Sequence, residues 1–212
     1  PGGISYAADY AVIGFNRRPV FALGNNEEES KMYGDCSQDT FLRCEGPVDH
    51  TIDMIYTWDT ERNLTGVLVD VPCPSQVYEL HSFITADYWG PVRDQIRSKL
   101  GNIHILSICG AAGDQNPLDL VRISKINKQE LIEWNAQVGE VFRNINMEEE
   151  CELIGGRVAE AVGRGYRKAK NYIETEPVFK HTAFSLELPI RKVSEEDYRE
   201  ALEIIEEKKS GF

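Results

Sequence analysis

Three consecutive patterned runs constrain this chain more than anything else in it. Residues 64–71 carry Val67, Val69 and Val71 in step, the period-two pattern of a strand. Residues 87–100 place Trp89, Val92, Ile96 and Leu100 on one helical stripe, with Gly101 as the stop. Residues 103–108 are a short apolar run of strand type. Strand, helix, strand in that order predicts a crossover between two parallel strands. Upstream, residues 51–58 alternate through Ile52, Met54 and Tyr56, and the polar link Asp59-Thr60-Glu61-Arg62-Asn63 joins them to 64–71. That pair reads as an antiparallel hairpin. The predicted fold class is therefore α/β: a mixed sheet with flanking helices. A chain of 212 residues with 42% apolar content can bury the core this needs as a single domain over 1–212.

The remaining segments are read in the same way. Residues 10–15 and 20–23 suggest short strands, and 25–30 an acidic loop. Helices are predicted over 127–142, where Asn127 and Glu130 stand at capping-box spacing, and over 148–173. In the second of these, Gly155, Gly156, Gly163 and Gly165 either weaken the helix or mark close packing. Residues 179–190 alternate as a strand through Phe184, Leu186 and Leu188. Ser194 is the expected cap of a last helix, with Glu195, Glu196 and Asp197 at its positive end. The opening Pro1-Gly2-Gly3 reads as the continuation of a longer polypeptide.

Charge narrows the partners. Lys+Arg number 23 and Asp+Glu 35, a net charge of −12. Such a chain is poorly suited to phosphate backbones or anionic membrane surfaces, and a small-molecule substrate is expected in place of nucleic acid. No apolar run approaches the roughly 20 residues of a membrane span. The five cysteines include no CxxC pair, which favours reduced thiols and a cytoplasmic setting, although Cys36 and Cys44 could still pair. The oligomeric state is left open.

Chemistry is expected just after the third run. Gly110, Ala111, Ala112 and Gly113 form a small-residue turn, which leads into Asp114, Gln115, Asn116 and Pro117. A strand ending this way puts polar groups at the carboxyl edge of a sheet, where open α/β sheets keep ligands; it also reads as an ordinary turn. Cys73 lies between Pro72 and Pro74, on a stiff backbone. It reads as a buried structural cysteine, a metal ligand or a nucleophile. His50 and His81, the latter near Glu79, are the histidines placed to join it, while Asp87 suits a helix N-cap.

Several of these segments, in order, resemble the neutral/alkaline ceramidase family, in particular its bacterial branch. Pro1-Gly2-Gly3 resembles the stretch directly after that family's THTHSG zinc segment, and Asn16-Arg17-Arg18-Pro19 resembles its NRSP. Gly46-Pro47-Val48-Asp49 resembles GPVD, Thr85-Ala86-Asp87-Tyr88-Trp89-Gly90 resembles SADxxG, and Gly113-Asp114-Gln115-Asn116-Pro117 resembles GDxSP. The resemblance implies part of a ceramidase-type catalytic domain and a zinc-dependent amidase, in which zinc lowers the pKa of water and polarises the amide carbonyl. On that reading Cys73, with His50 and His81, is a candidate zinc ligand. Asp114 orients water, and Gln115 and Asn116 supply hydrogen bonds. Two positions depart from the family: Cys73 stands where a zinc-binding histidine is expected, and Asn116 where the GDxSP serine is. These departures favour an alternative, a non-catalytic relative that binds a small polar or carbohydrate ligand in the same cleft.

Overall fold

The computed structural model describes residues 2–32, 36, 39–79, 81–124, 145–190 and 192–210. The chain divides into two compact units, Pro1–Pro177 and Val178–Phe212. In chain order, the first unit contains β1 (Gly3–Tyr10), β2 (Phe15–Asn16), β3 (Pro19–Gly24), β4 (Glu27–Ser30), β5 (Phe41–Cys44), β6 (Thr51–Trp58) and β7 (Leu64–Val71). Next come α1 (Trp89–Leu100), β8 (His104–Cys109), β9 (Gln115–Asn116), α2 (Leu120–Ser124) and α3 (Met147–Ala169); α4 (Glu195–Ser210) belongs to the second unit.

The main sheet runs β1-β6-β7-β8. β6 and β7 form the expected hairpin with the expected bounds. β8 lies parallel to β7, with Val71 opposite Cys109, so α1 is the crossover helix. The mixed sheet with flanking helices is thus as the pattern predicts. α1 starts two residues later than expected. Gly101 ends it at φ 91°, a backbone that glycine adopts without strain, and its N–H returns to Arg97 O at 2.9 Å.

One face of the sheet is covered by helices. Met54, Tyr56, Val67, Val69 and Val71 are buried there together with Val92 and Ile96 of α1 and Ile154, Val158, Ala161 and Val162 of α3. Tyr56 donates to Val162 O at 2.6 Å, and Trp58 stacks on Tyr166 with ring centroids 5.9 Å apart. α3 runs 147–169 and is capped by Asn146, whose Oδ1 accepts from Glu149 N at 3.0 Å. Two of its glycines are packing positions: a Cβ on Gly155 would lie 2.8 Å from Pro91 Cβ, and one on Gly165 would lie 2.8 Å from Tyr56 Oη. Gly163 has open space around it. Gly163→Ala is therefore expected to stabilise the fold by about 0.5–1 kcal/mol, read as a higher midpoint in urea.

Several segments differ from the sequence reading. β1 occupies 3–10, where the pattern predicts a strand over 10–15. Its inward positions are Ser5 and Ala7, while Ile4 and Tyr6 face outward, so the usual apolar-in pattern is inverted. Buried Ser5 is held by Trp58, whose Nε1 donates to its Oγ at 2.8 Å. The acidic loop is in part the fully exposed strand β4. It turns back from β3 through Asn25 and Asn26, at φ 52° and 65°, a conformation asparagine tolerates. Residues 179–190 form no strand: Phe184, Leu186 and Leu188 are exposed, and the described part of their unit holds no strand to pair with. α4 is capped as expected, with Ser194 Oγ accepting from Asp197 N at 3.0 Å. The helix expected over 127–142 lies outside the described residues. Among the described residues, no helix is long and apolar enough to cross a membrane.

Candidate functional site

Strand directions bring distant segments to one edge. β7 and β8 both end there, at Val71 and Cys109. β6 begins there, and β1 ends there with Tyr10 opposite Thr51. The loop after β8 then pairs with the segment after β1: Asn16 lies opposite Gln115, and Arg17 N donates to Asp114 O at 2.9 Å.

Asp114 is exposed, yet both its oxygens are held. Oδ2 accepts from Asn16 Nδ2 at 2.9 Å, and Oδ1 from Gln115 Nε2 at 2.7 Å. Asn16 and Gln115 are themselves 6% and 5% exposed, so two buried amides orient one accessible carboxylate. Gly46 closes over this pair: a Cβ there would lie 2.9 Å from Asn16 Nδ2. Gln115 Nε2 also reaches Pro47 O at 3.2 Å, tying the loop to the segment that leads into β6. Asn116 turns the other way. It is buried, and its Oδ1 accepts from Leu118 N at 2.8 Å, so it holds the turn into Leu118.

Among the described residues, four buried polar side-chain atoms lack a hydrogen-bond partner: Arg17 Nε, His50 Nδ1, Asp70 Oδ1 and Gln115 Oε1. All four belong to segments that meet at this edge. Buried polar groups are normally paired, and an unpaired cluster marks a place where a ligand or water completes the bonding. Arg17 also has a charged neighbour in Glu79, whose carboxyl is raised by burial against the opposing pull of Arg17. No sequence pattern singles out Arg17 or Asp70 for chemistry. Arg17 enters only through the Asn-Arg-Arg-Pro resemblance, and Glu79 only as a neighbour of His81.

Asp70 is raised by burial, and by Asp53 and Asp49 in turn. Asp53 lies directly across from it on β6, a like-charge pair on neighbouring strands. A carboxyl whose folded pKa exceeds its unfolded value favours folding most below the unfolded pKa, and that contribution is lost as pH rises through the folded pKa. Asp70→Asn is therefore expected to raise stability at pH 7 by about 0.5 kcal/mol, with the gain fading as pH falls through the carboxylate range. Thermal melts at pH 7 and pH 4 read this directly.

The three candidate zinc ligands are not gathered. Cys73 is fully buried, its Sγ 3.6 Å from Pro74 O, and burial pushes its thiol well above the ordinary range. His81 Nε2 lies 3.2 Å from Met147 Sδ, its ring packed near Tyr78 and Phe83. His50 accepts Ala11 N through its carbonyl at 3.0 Å. Among the described residues no three His, Cys, Asp or Glu side chains are placed to hold a metal ion. Cys73, His50 and His81 alone do not fit a zinc site. Cys36 is buried and Cys44 exposed, and no disulfide joins them.

Asp87 is not the expected N-cap: Tyr88 stands at the N-cap of α1 and no side chain caps the helix. Asp87 sits at φ 53° with 7% exposure and accepts from Tyr78 N and Tyr88 N, each at 2.8 Å. Tyr88 in turn donates to Cys73 O at 2.7 Å. The segment carrying Cys73 and Glu79 is thus pinned to the start of α1.

No family model matches the chain, and no curated protein matches it in sequence at a significant level. Among solved structures, it is similar to the neutral ceramidase from Pseudomonas aeruginosa, with a TM-score of 0.45 and 14% identity over 81% of this chain and 23% of that one. A ceramidase complexed with C2 gives a TM-score of 0.45 and 12% identity, over 81% and 22%. The chain spans less than a quarter of either protein. A likeness at this level assigns no role to any residue.

Proposed function

We propose that the carboxyl edge of the main sheet is part of a ceramidase-like hydrolase site acting on an amide or a related polar conjugate. The observation that carries this reading is Asp114: an accessible carboxylate with both oxygens oriented by buried Asn16 and Gln115. A carboxylate so placed accepts a proton from water as that water adds to a carbonyl carbon. The proton then passes to the nitrogen as the C–N bond breaks. Arg17 is the nearby cation suited to the developing oxyanion. Zinc enters no step here, because Cys73, His50 and His81 do not converge.

A second reading, a polar-ligand binding site without catalysis, is favoured by the inward turn of Asn116. One experiment separates the two. The chain and its Asp114→Asn variant are assayed on a panel of N-acyl anilides, with thermal shift against small polyols and amides in parallel. The hydrolase reading expects turnover that falls about 10²–10⁴-fold in Asp114→Asn with the melting temperature kept. Turnover unchanged by the substitution removes it. Saturable stabilisation that Gln115→Ala abolishes, without turnover, selects the binding reading. Elemental analysis of the same samples tests the metal: stoichiometric zinc lost on Cys73→Ala would restore the zinc-amidase expectation.

A further inference from the structure

A groove of about 460 Å³ opens between the end of β1 and α3, a size that suits a small organic ligand. Asp114, Gln115 and Asn116 do not line it, so it is distinct from the site described above. Its walls are Tyr10 and Ala11 on one side and Leu153 and Gly156 of α3 on the other. Tyr10 is 72% and Leu153 50% exposed, apolar surface left open to water.

The charges around it are unequal in their partners. Arg164 is held by the Asp9 carboxylate at 3.0 and 3.2 Å and by Tyr10 O at 3.0 Å. Glu160 is paired with Lys99, while Glu152 Oε2 accepts from the neutral Gln95 Nε2 at 2.9 Å and so keeps its negative charge on the rim. Arg157 differs. Its Nη1 donates to Val12 O at 2.9 Å, and it has no carboxylate partner among the described residues. Of the two arginines that line the groove, Arg157 is thus the one whose guanidinium is open to an anionic ligand.

We propose that this groove binds a carboxylate monoanion carried on a compact aromatic or branched apolar body. The carboxylate meets the remaining N–H groups of Arg157, whose planar fork suits two-point contact. The apolar body lies over the Tyr10 ring and Leu153, where an aromatic group has an offset or edge-on partner.

Calorimetric titration with 3-phenylpropionate and its uncharged counterpart 3-phenylpropanol tests this. The acid is expected to bind at least tenfold more tightly than the alcohol, with the difference shrinking in added salt. Arg157→Gln removes the charge and is expected to abolish that preference, with circular dichroism and the melting temperature checking that α3 is still folded. Leu153→Glu, which puts a carboxylate into the exposed wall, is expected to exclude the acid independently of any effect of the first variant on folding. Equal binding of acid and alcohol, binding of neither, or a preference that survives both substitutions overturns the proposal.

Discussion

Gly165→Leu is expected to unfold the first unit at a temperature about 10 °C below that of the parent chain. The reason is local and rigid. A Cβ at this position already lies 2.8 Å from Met54 Cε, 2.8 Å from Tyr56 Oη and 2.9 Å from Met54 Sδ, before any longer side chain is added. Met54 can swing aside. Tyr56 cannot do so freely, because it is fully buried and its hydroxyl is committed to Val162 O. Two effects oppose each other at this site. Any side chain in place of glycine gains roughly 0.5–1 kcal/mol of helix propensity. Overpacking a fixed core costs about 1–3 kcal/mol, and more when backbone elements must separate. For leucine the second dominates by about 3 kcal/mol, which for a unit of this size corresponds to about 10 °C. Gly163→Ala on the same helix, with open space around it, has the opposite sign, so the pair separates packing from propensity. Tyr56→Phe removes the hydroxyl that Gly165 faces and is expected to recover part of the loss in a double-mutant cycle. A Gly165→Leu chain as stable as the parent would mean that α3 and β6 are not in this register.

Much of this packing was legible in the sequence. Ile52, Met54 and Tyr56, then Val67, Val69 and Val71, point inward as their spacing predicts, and Trp89, Val92 and Ile96 meet them. Hairpin and crossover come from those periods because burial of one face fixes the register. β1 was not legible for a physical reason: its inward face is Ser5 and Ala7, made compatible with burial by a bond from Trp58 some fifty residues away. The run 179–190 shows the converse, since alternation describes a strand's faces but cannot supply its partner. The candidate site divides along similar lines. The turn at 110–117 announces a sheet edge, and Asp114 is there with its carboxylate presented. The inward direction of Asn116 and the distance of Cys73 from a metal role depend on hydrogen bonds that spacing does not encode. Arg17 and Glu79 are brought together only by the tertiary path, so no local pattern names them as a pair.

Asp87→Ala is expected to cost about 3 kcal/mol and to loosen the segment that carries Cys73 and Glu79. The present carboxylate accepts two backbone N–H groups, Tyr78 and Tyr88, at 2.8 Å each, from a side chain only 7% exposed. Alanine leaves both donors without that acceptor, and a buried unsatisfied donor costs roughly 1–3 kcal/mol. It also places a Cβ-bearing residue with no compensating polar group at φ 53°, a region alanine occupies at a cost of about 1 kcal/mol. Two further substitutions sort these terms. Asp87→Asn keeps one acceptor oxygen and tolerates the left-handed backbone, so it should lose least. Asp87→Gly relieves the backbone but not the donors, so it should fall between asparagine and alanine. Urea denaturation gives the order, and hydrogen exchange at the Tyr78 amide shows whether the segment opens before the sheet does. An alanine variant within 0.5 kcal/mol of the parent, with Tyr78 still protected, would mean that the Tyr88 bond to Cys73 O holds this segment without Asp87. The predicted order, with early exchange at Tyr78, would make Asp87 the residue on which the position of Glu79 relative to Arg17 depends.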